Sequence, residues 1–215
     1  MSDEKFREFF YEVKPIRLRE PLAALLGAFE KDEEIVEFKY TDAVRAAGHA
    51  CPTVSGAYLC CQEALDALYP DEVPLRGGLA ITVYGSPDEG GLGVMSQVFT
   101  FITGAAPETG FKGLGGRFSR KDLMRFEAAE PACEEPCFRF QRLDTGAAVR
   151  VSFYPWLIPF PEESGKRLAA LMGPVVSGEA SDEEGREFQK LWLEKIRGMV
   201  IDRNDIETWL KVEAA

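Results

Sequence analysis

The chain has a single histidine among 215 residues, and its 25 bases are outnumbered by 36 acids. With one imidazole available, only one segment pairs imidazole with thiol, Gly48-His49-Ala50-Cys51-Pro52. The net charge of −11 excludes a molecule built as a whole around nucleic acid, since phosphate contacts need a basic footprint. Long hydrophobic runs are also missing: no apolar stretch reaches the ~18–20 residues that span a bilayer. The opening Met1-Ser2-Asp3-Glu4-Lys5 carries acids and has no secretory apolar core, so a cytoplasmic protein is expected. Five cysteines are an odd number, which argues for reduced thiols and against a disulfide framework.

What is present suits one large domain, or a core domain with an appended helical piece. Hydrophobic residues make up 46% of the chain, enough for a sizeable core. Phe6, Phe9, Phe10 and Val13 recur at helical spacing until Pro15. Leu22, Leu25, Leu26 and Phe29 predict a second helix over 18–29, with those four as its buried stripe. Residues 34–40 read as a short strand or a helix start, and residues 41–47 as a helix ended by Gly48. The β-branched stretch 78–84 predicts a strand, 94–102 a helix, and 122–128 a short strand or helix. Alternation over 137–143, the turn Asp144-Thr145-Gly146 and residues 148–153 predict a β-hairpin. The tail predicts helices over 162–176, 182–200 and 205–212, with Ser181 and Glu184 forming a capping box and Asn204 with Glu207 repeating the signal. The expected fold is therefore α+β: a mixed or antiparallel sheet packed with helices over residues 1–160. A helical extension over 161–215 should then pack on the core or on a partner subunit.

The stretch around His49 carries the most chemistry. Pro52 suits a first helical turn, which puts Cys51 at a helix N-terminus. Backbone N–H groups there favour a thiolate. Imidazole and thiolate are both good ligands for a borderline-soft metal, zinc above all. His49 and Cys51 are thus the candidate metal ligands, with Cys60, Glu89, Cys133 or Cys137 as candidates for a third. Cys61 lies on the apolar face of the following helix and reads as core. Gly56, costly within a helix, predicts a close approach of backbone or ligand. A second candidate is the loop 105–117, where four glycines accompany Lys112 and Arg117. With Arg120 and Lys121 it forms the densest basic patch, and its backbone amides suit a small anion.

Gly48-His49-Ala50-Cys51-Pro52, then Gly56, the Gln97 segment running into Thr103-Gly104, and the glycine loop 110–116 with Lys112 together resemble the FmdE-like family, whose name comes from a component of formylmethanofuran dehydrogenase. The resemblance covers roughly residues 49–120. It implies an α+β core, often paired as a homodimer, with a metal-associated cleft near the His-x-Cys-Pro segment. The sequence departs from the family pattern at Thr53, where a glycine usually stands, and at Ala105, where a cysteine is common. The loop before Val94 also has no cysteine, and the tail has no paired cysteines for the zinc finger that some members append. Three functions are then open: a metal-binding protein of unstated reaction; a non-catalytic accessory or cofactor-binding protein for an oxidoreductase, holding a small anionic ligand; and a thiolate at Cys51 with His49 as its base.

Overall fold

The computed structural model describes residues 3–30, 34–128 and 135–215, with side chains from residue 7 onward in the first segment. Cys133, and with it the Cys133–Cys137 pair, lies outside the described residues, as does the Phe6 side chain. The fold is α+β, with two sheets and helices packed against them. A 3-10 segment over Asp3–Tyr11 leads into β1 (Ile16–Arg19), the short α1 (Pro21–Leu25) and β2 (Ile35–Phe38), and β1 and β2 pair antiparallel. Next come α2 (Tyr40–Ala47), α3 (Pro52–Leu68), β3 (Leu79–Tyr84), α4 (Leu92–Thr103), β4 (Met124–Glu127), β5 (Cys137–Arg142) and β6 (Ala148–Phe153). The tail contributes α5 (Glu162–Ser177), α6 (Asp182–Arg197), a π turn over Gly198–Asp202, α7 (Ile206–Trp209) and β7 (Leu210–Ala214).

The main sheet runs β4-β3-β5-β6-β7, with only the β3–β4 pair parallel. Its register aligns Ile81 with Phe140 and Met124, Phe138 with Val151, and Phe153 with Leu210. Side chains alternate along a strand, so these residues share one face and build the core. The opposite face carries Arg139, Arg150, Lys211 and Glu213 at the intervening positions.

The helix α3 lies on the apolar face and is buried along nearly its whole length. Apolar and small residues predominate from Val54 to Cys61, where it is most deeply buried, while Glu63 and Asp66 mark its more open end. Gly48 at φ 79° stops α2, and Cys51 at φ −146° with Pro52 at the first helical position starts α3. Gly56 has the close approach expected of it, but the neighbour is an aromatic ring. A Cβ there would lie 2.5 Å from Cζ of Phe153, so the missing side chain lets α3 settle on β6. Tyr58 Oη lies 2.9 Å from the carbonyls of Lys14 and Phe38, and Gln62 donates to Lys14 O at 2.8 Å. These bonds fasten the N-terminal segment to α3.

The structure corrects two expectations and decides a third that the sequence left open. Residues 18–29 do not form one helix: Ile16–Arg19 is a strand, α1 is a single short turn, and Leu25, Leu26 and Phe29 are exposed instead of buried. Pro21 sits at the first helical position, and pairing with β2 claims the residues before it. Residues 34–40 resolve as β2 followed at once by α2. The last expected helix, 205–212, is only one turn. Leu210 then enters β7 and extends the sheet beside β6. Asn204 supplies its carbonyl to Trp209 Nε1 at 2.9 Å, and the cap position falls to Asp205, which makes no side-chain cap bond. The tail is therefore helical up to the single turn of α7 and ends as a strand, and Ile196, Met199, Val200, Trp209 and Leu210 belong to the same core as α3. No helix among the described residues is long and apolar enough to cross a membrane.

Candidate functional site

His49 and Cys51 flank the junction of α2 and α3. His49 is exposed. Its Nδ1 lies 3.1 Å from the carbonyl oxygen of Ala47; a carbonyl only accepts, so Nδ1 is the donor in this bond. Cys51 caps α3, its Sγ accepting from Val54 N at 3.5 Å. Trp192 of α6 donates to Ala50 O at 2.8 Å, which brings the tail down onto this junction. His49 and Ala50 consequently form part of a groove of about 820 Å³ whose other wall is α6, with Phe188 and Trp192 stacked at 5.6 Å. The two donors suit zinc by type. Among the described residues, however, no three His, Cys, Asp or Glu side chains are grouped to hold a metal ion, short of the three protein ligands that a catalytic zinc takes.

The other predicted residues lie apart from this junction. Cys60 stands nine residues after Cys51 on the same helix, about 13 Å along its axis. It is fully buried, and burial above all, then Glu63 and Cys137, pushes its thiol well above the usual value. Cys61 is core, as expected. Glu89 is exposed, and its Oε2 accepts from Ser86 N at 3.1 Å, closing its own turn. Cys137 is buried on the far side of the sheet, where it accepts from Arg150 Nε at 3.0 Å. Lys112 and Arg117 are exposed, and the Arg117 guanidinium lies 4.8 Å from the Phe118 ring. The amides of Leu114 and Arg117 bond each other's carbonyls at 2.8 and 3.0 Å. Those two N–H groups are therefore spent within the loop.

A second, larger cavity is the better site. It is a cleft of about 920 Å³ between α1, β2, α4, the edge strand β4 and the glycine loop. Its walls are Leu22, Leu26, Phe29, Val36, Phe38, Phe101, Phe111, Met124 and Phe126, and the charged groups lining it are Glu20, Arg76 and Arg120. Arg120 Nη2 donates to both Glu20 oxygens at 2.8 and 2.7 Å, and Arg76 Nη1 donates to Oε2 at 3.0 Å. Arg76 is further held by the carbonyls of Ile102 and Phe101 at 2.9 and 2.8 Å, and it lies 5.1 Å from the Phe38 ring. Glu20 and Arg120 are each 7% exposed, so the pair sits in a water-poor floor. Burial pushes the Glu20 carboxyl up, but hydrogen bonds from Arg120 and Arg76 outweigh it and hold the group below the usual carboxylate value.

Two glycines make room for this floor. A Cβ on Gly104 would lie within 3 Å of the Arg120 side chain, and one on Gly77 would lie 2.8 Å from its Cδ and Nε. Both also have positive φ, 78° and 80°, a conformation that glycine adopts without strain. Arg120 donates only through Nη2; its Nε and Nη1 have no acceptor among the described residues. No side-chain nitrogen or oxygen that is sealed from solvent lacks a partner there, so these two nitrogens reach solvent, and Nη1 lies beside Gly104, which lines the cleft with Arg120.

Arg120 belongs to the basic patch evident in the sequence, and Gln97 and the glycine loop, both part of the family resemblance, line the cleft. Glu20 and Arg76 carried no such signal. They stand 56 residues apart, in segments whose local patterns are those of ordinary turns. No family model matches the chain, and no curated protein is similar to it.

Proposed function

We propose that the protein is a ligand-binding domain of the accessory or cofactor-binding kind, holding a small organic molecule with an anionic group in the 920 Å³ cleft. The observation that supports this reading is the buried Glu20–Arg76–Arg120 floor beneath apolar walls. Small-molecule sites are concave and mostly apolar, with a few fixed polar groups that set orientation. The glycine loop serves here as a wall, and the anion is held by Arg120 in place of Lys112 and Arg117. Titration with the anionic fluorophore anilinonaphthalene sulfonate tests it. Saturable enhancement is expected, and Gln97→Trp, an exposed position lining the cleft, should abolish it while leaving the melting temperature unchanged. Absence of saturation, or indifference to Gln97→Trp, would sink the reading. An accessory role also entails assembly, as a homodimer or beside an oxidoreductase. Leu26 and Phe29, exposed at the cleft, and the neighbouring exposed Leu25 support that step, and sedimentation velocity measures it.

A second reading, metal binding at His49 and Cys51, is favoured by the ring geometry alone. A metal-bound imidazole typically donates its other N–H to a carbonyl or carboxylate, and Nδ1 of His49 already does so to Ala47 O. Elemental analysis of purified protein beside a His49→Ala/Cys51→Ala variant decides this; equal, negligible zinc in both removes it.

A further inference from the structure

The geometry points to the class of ligand, resting on the binding role proposed above: a monocarboxylate with an extended apolar body, its carboxylate on Arg120 and its body along Leu22, Leu26, Phe29, Phe101 and Phe111. Three observations lead there. First, Arg120 is nine-tenths buried yet leaves Nε and Nη1 without acceptors among the described residues. Neither nitrogen is sealed from solvent, and Nη1 lies beside Gly104 in the lining of the cleft, so a ligand carboxylate there can replace water as the acceptor.

Second, the charge of the floor is set by its members. Glu20 contributes one negative charge against the two positive charges of Arg76 and Arg120, leaving a net single positive charge. The remaining cleft residues are uncharged. A monoanion balances that floor. A dianion would overbalance it and place a second negative charge near the Glu20 carboxylate, where low dielectric makes repulsion strong. A neutral hydroxyl could accept a hydrogen bond but would leave the positive charge uncompensated. Third, the walls beyond the floor are a continuous apolar surface open to solvent at the exposed Leu26, Phe29 and Phe111. An alkyl or aryl-alkyl body buries against them, while a compact anion such as acetate would leave them wet.

Isothermal titration of the full chain with octanoate, 1-octanol and octyl phosphate tests the assignment. Octanoate should bind about 10-fold or more tightly than octanol, the discrimination expected of a hydrogen bond to a charged group, and more tightly than octyl phosphate. Arg120→Lys keeps a cation for Glu20 but removes the free Nε and Nη1 donors, and should erase the preference for octanoate over octanol. Its melting curve establishes that it is folded, and the wild-type series stands without it. Lys112→Ala/Arg117→Ala should retain the preference; losing it would move the anion to the loop and overturn the assignment. Equal affinity for octanol and octanoate overturns the carboxylate head group, and tightest binding of octyl phosphate overturns the single charge. If none of the three binds while anilinonaphthalene sulfonate still titrates in a Gln97-dependent way, the ligand class falls and the binding role stands. If the fluorophore fails as well, both fall.

Discussion

Removing the Glu20 carboxylate leaves two guanidinium groups together in a site with little water. Breaking a buried ion pair from one side typically costs about 3–5 kcal/mol, so Glu20→Ala should lower stability by that order, read from urea midpoints at pH 7. The pH dependence has a definite sign. The folded-state value of Glu20 lies below the usual 4.5, so its contribution is fully present above the usual carboxylate range. It fades as pH falls through the folded value. Wild-type stability should thus drop as pH falls from the usual carboxylate range through the lower folded value, and the drop should be smaller in Glu20→Gln. Gly56 gives a second residue-scale prediction. Glycine to alanine in a helix normally gains about 1 kcal/mol, but here the new Cβ would meet Phe153 at 2.5 Å. Overpacking of about 1–3 kcal/mol should win, so Gly56→Ala destabilises. Adding Phe153→Leu should recover part of the loss, which a double-mutant cycle of melting curves would register.

At the scale of elements, local signals and pairing partners divide the outcome. The start of α6 was legible: Ser181 Oγ accepts from Glu184 N at 3.3 Å, and Glu184 returns a bond to Ser181 N at 2.9 Å. Ser181→Ala should therefore cost about 1 kcal/mol. The hairpin of β5 and β6 was legible for the same reason, since its turn and its alternation lie within a few residues of each other. The segments 18–29 and 206–214 were not. Leu22, Leu25, Leu26 and Phe29 keep helical spacing, yet the chain there is committed by strand pairing between β1 and β2. Likewise Leu210–Ala214 becomes a strand because β6 offers it an edge. Propensity is a weak prior against a hydrogen-bonded partner distant in sequence. The site divides the same way: His49, Cys51 and the glycine loop announce themselves by residue type, whereas Glu20 and Arg76 acquire meaning only when brought to Arg120.

Across the whole molecule, the return of the tail to the sheet has a mechanical consequence. Trp209 is fully buried and its ring lies 6.3 Å from that of Phe153, and Trp192 holds α6 to Ala50. Residues 161–215 should therefore unfold with the rest and not ahead of it. Tryptophan fluorescence, which reports Trp156, Trp192 and Trp209, and far-ultraviolet circular dichroism should give coincident urea transitions. An earlier fluorescence transition would show the tail to be a separate unit. The sequence by itself determined the fold class, the helix that begins just after His49 and Cys51, the sheet hairpin, and the acidic charge that argues against nucleic acid. Those properties depend on composition and on contacts between near neighbours in the chain. Only the tertiary structure decided that the tail ends as a strand, that Cys60 is sealed in the core, and that the basic patch contributes Arg120 to a cleft. Each of those depends on burial and on partners far away in sequence, and neither is written in the local pattern.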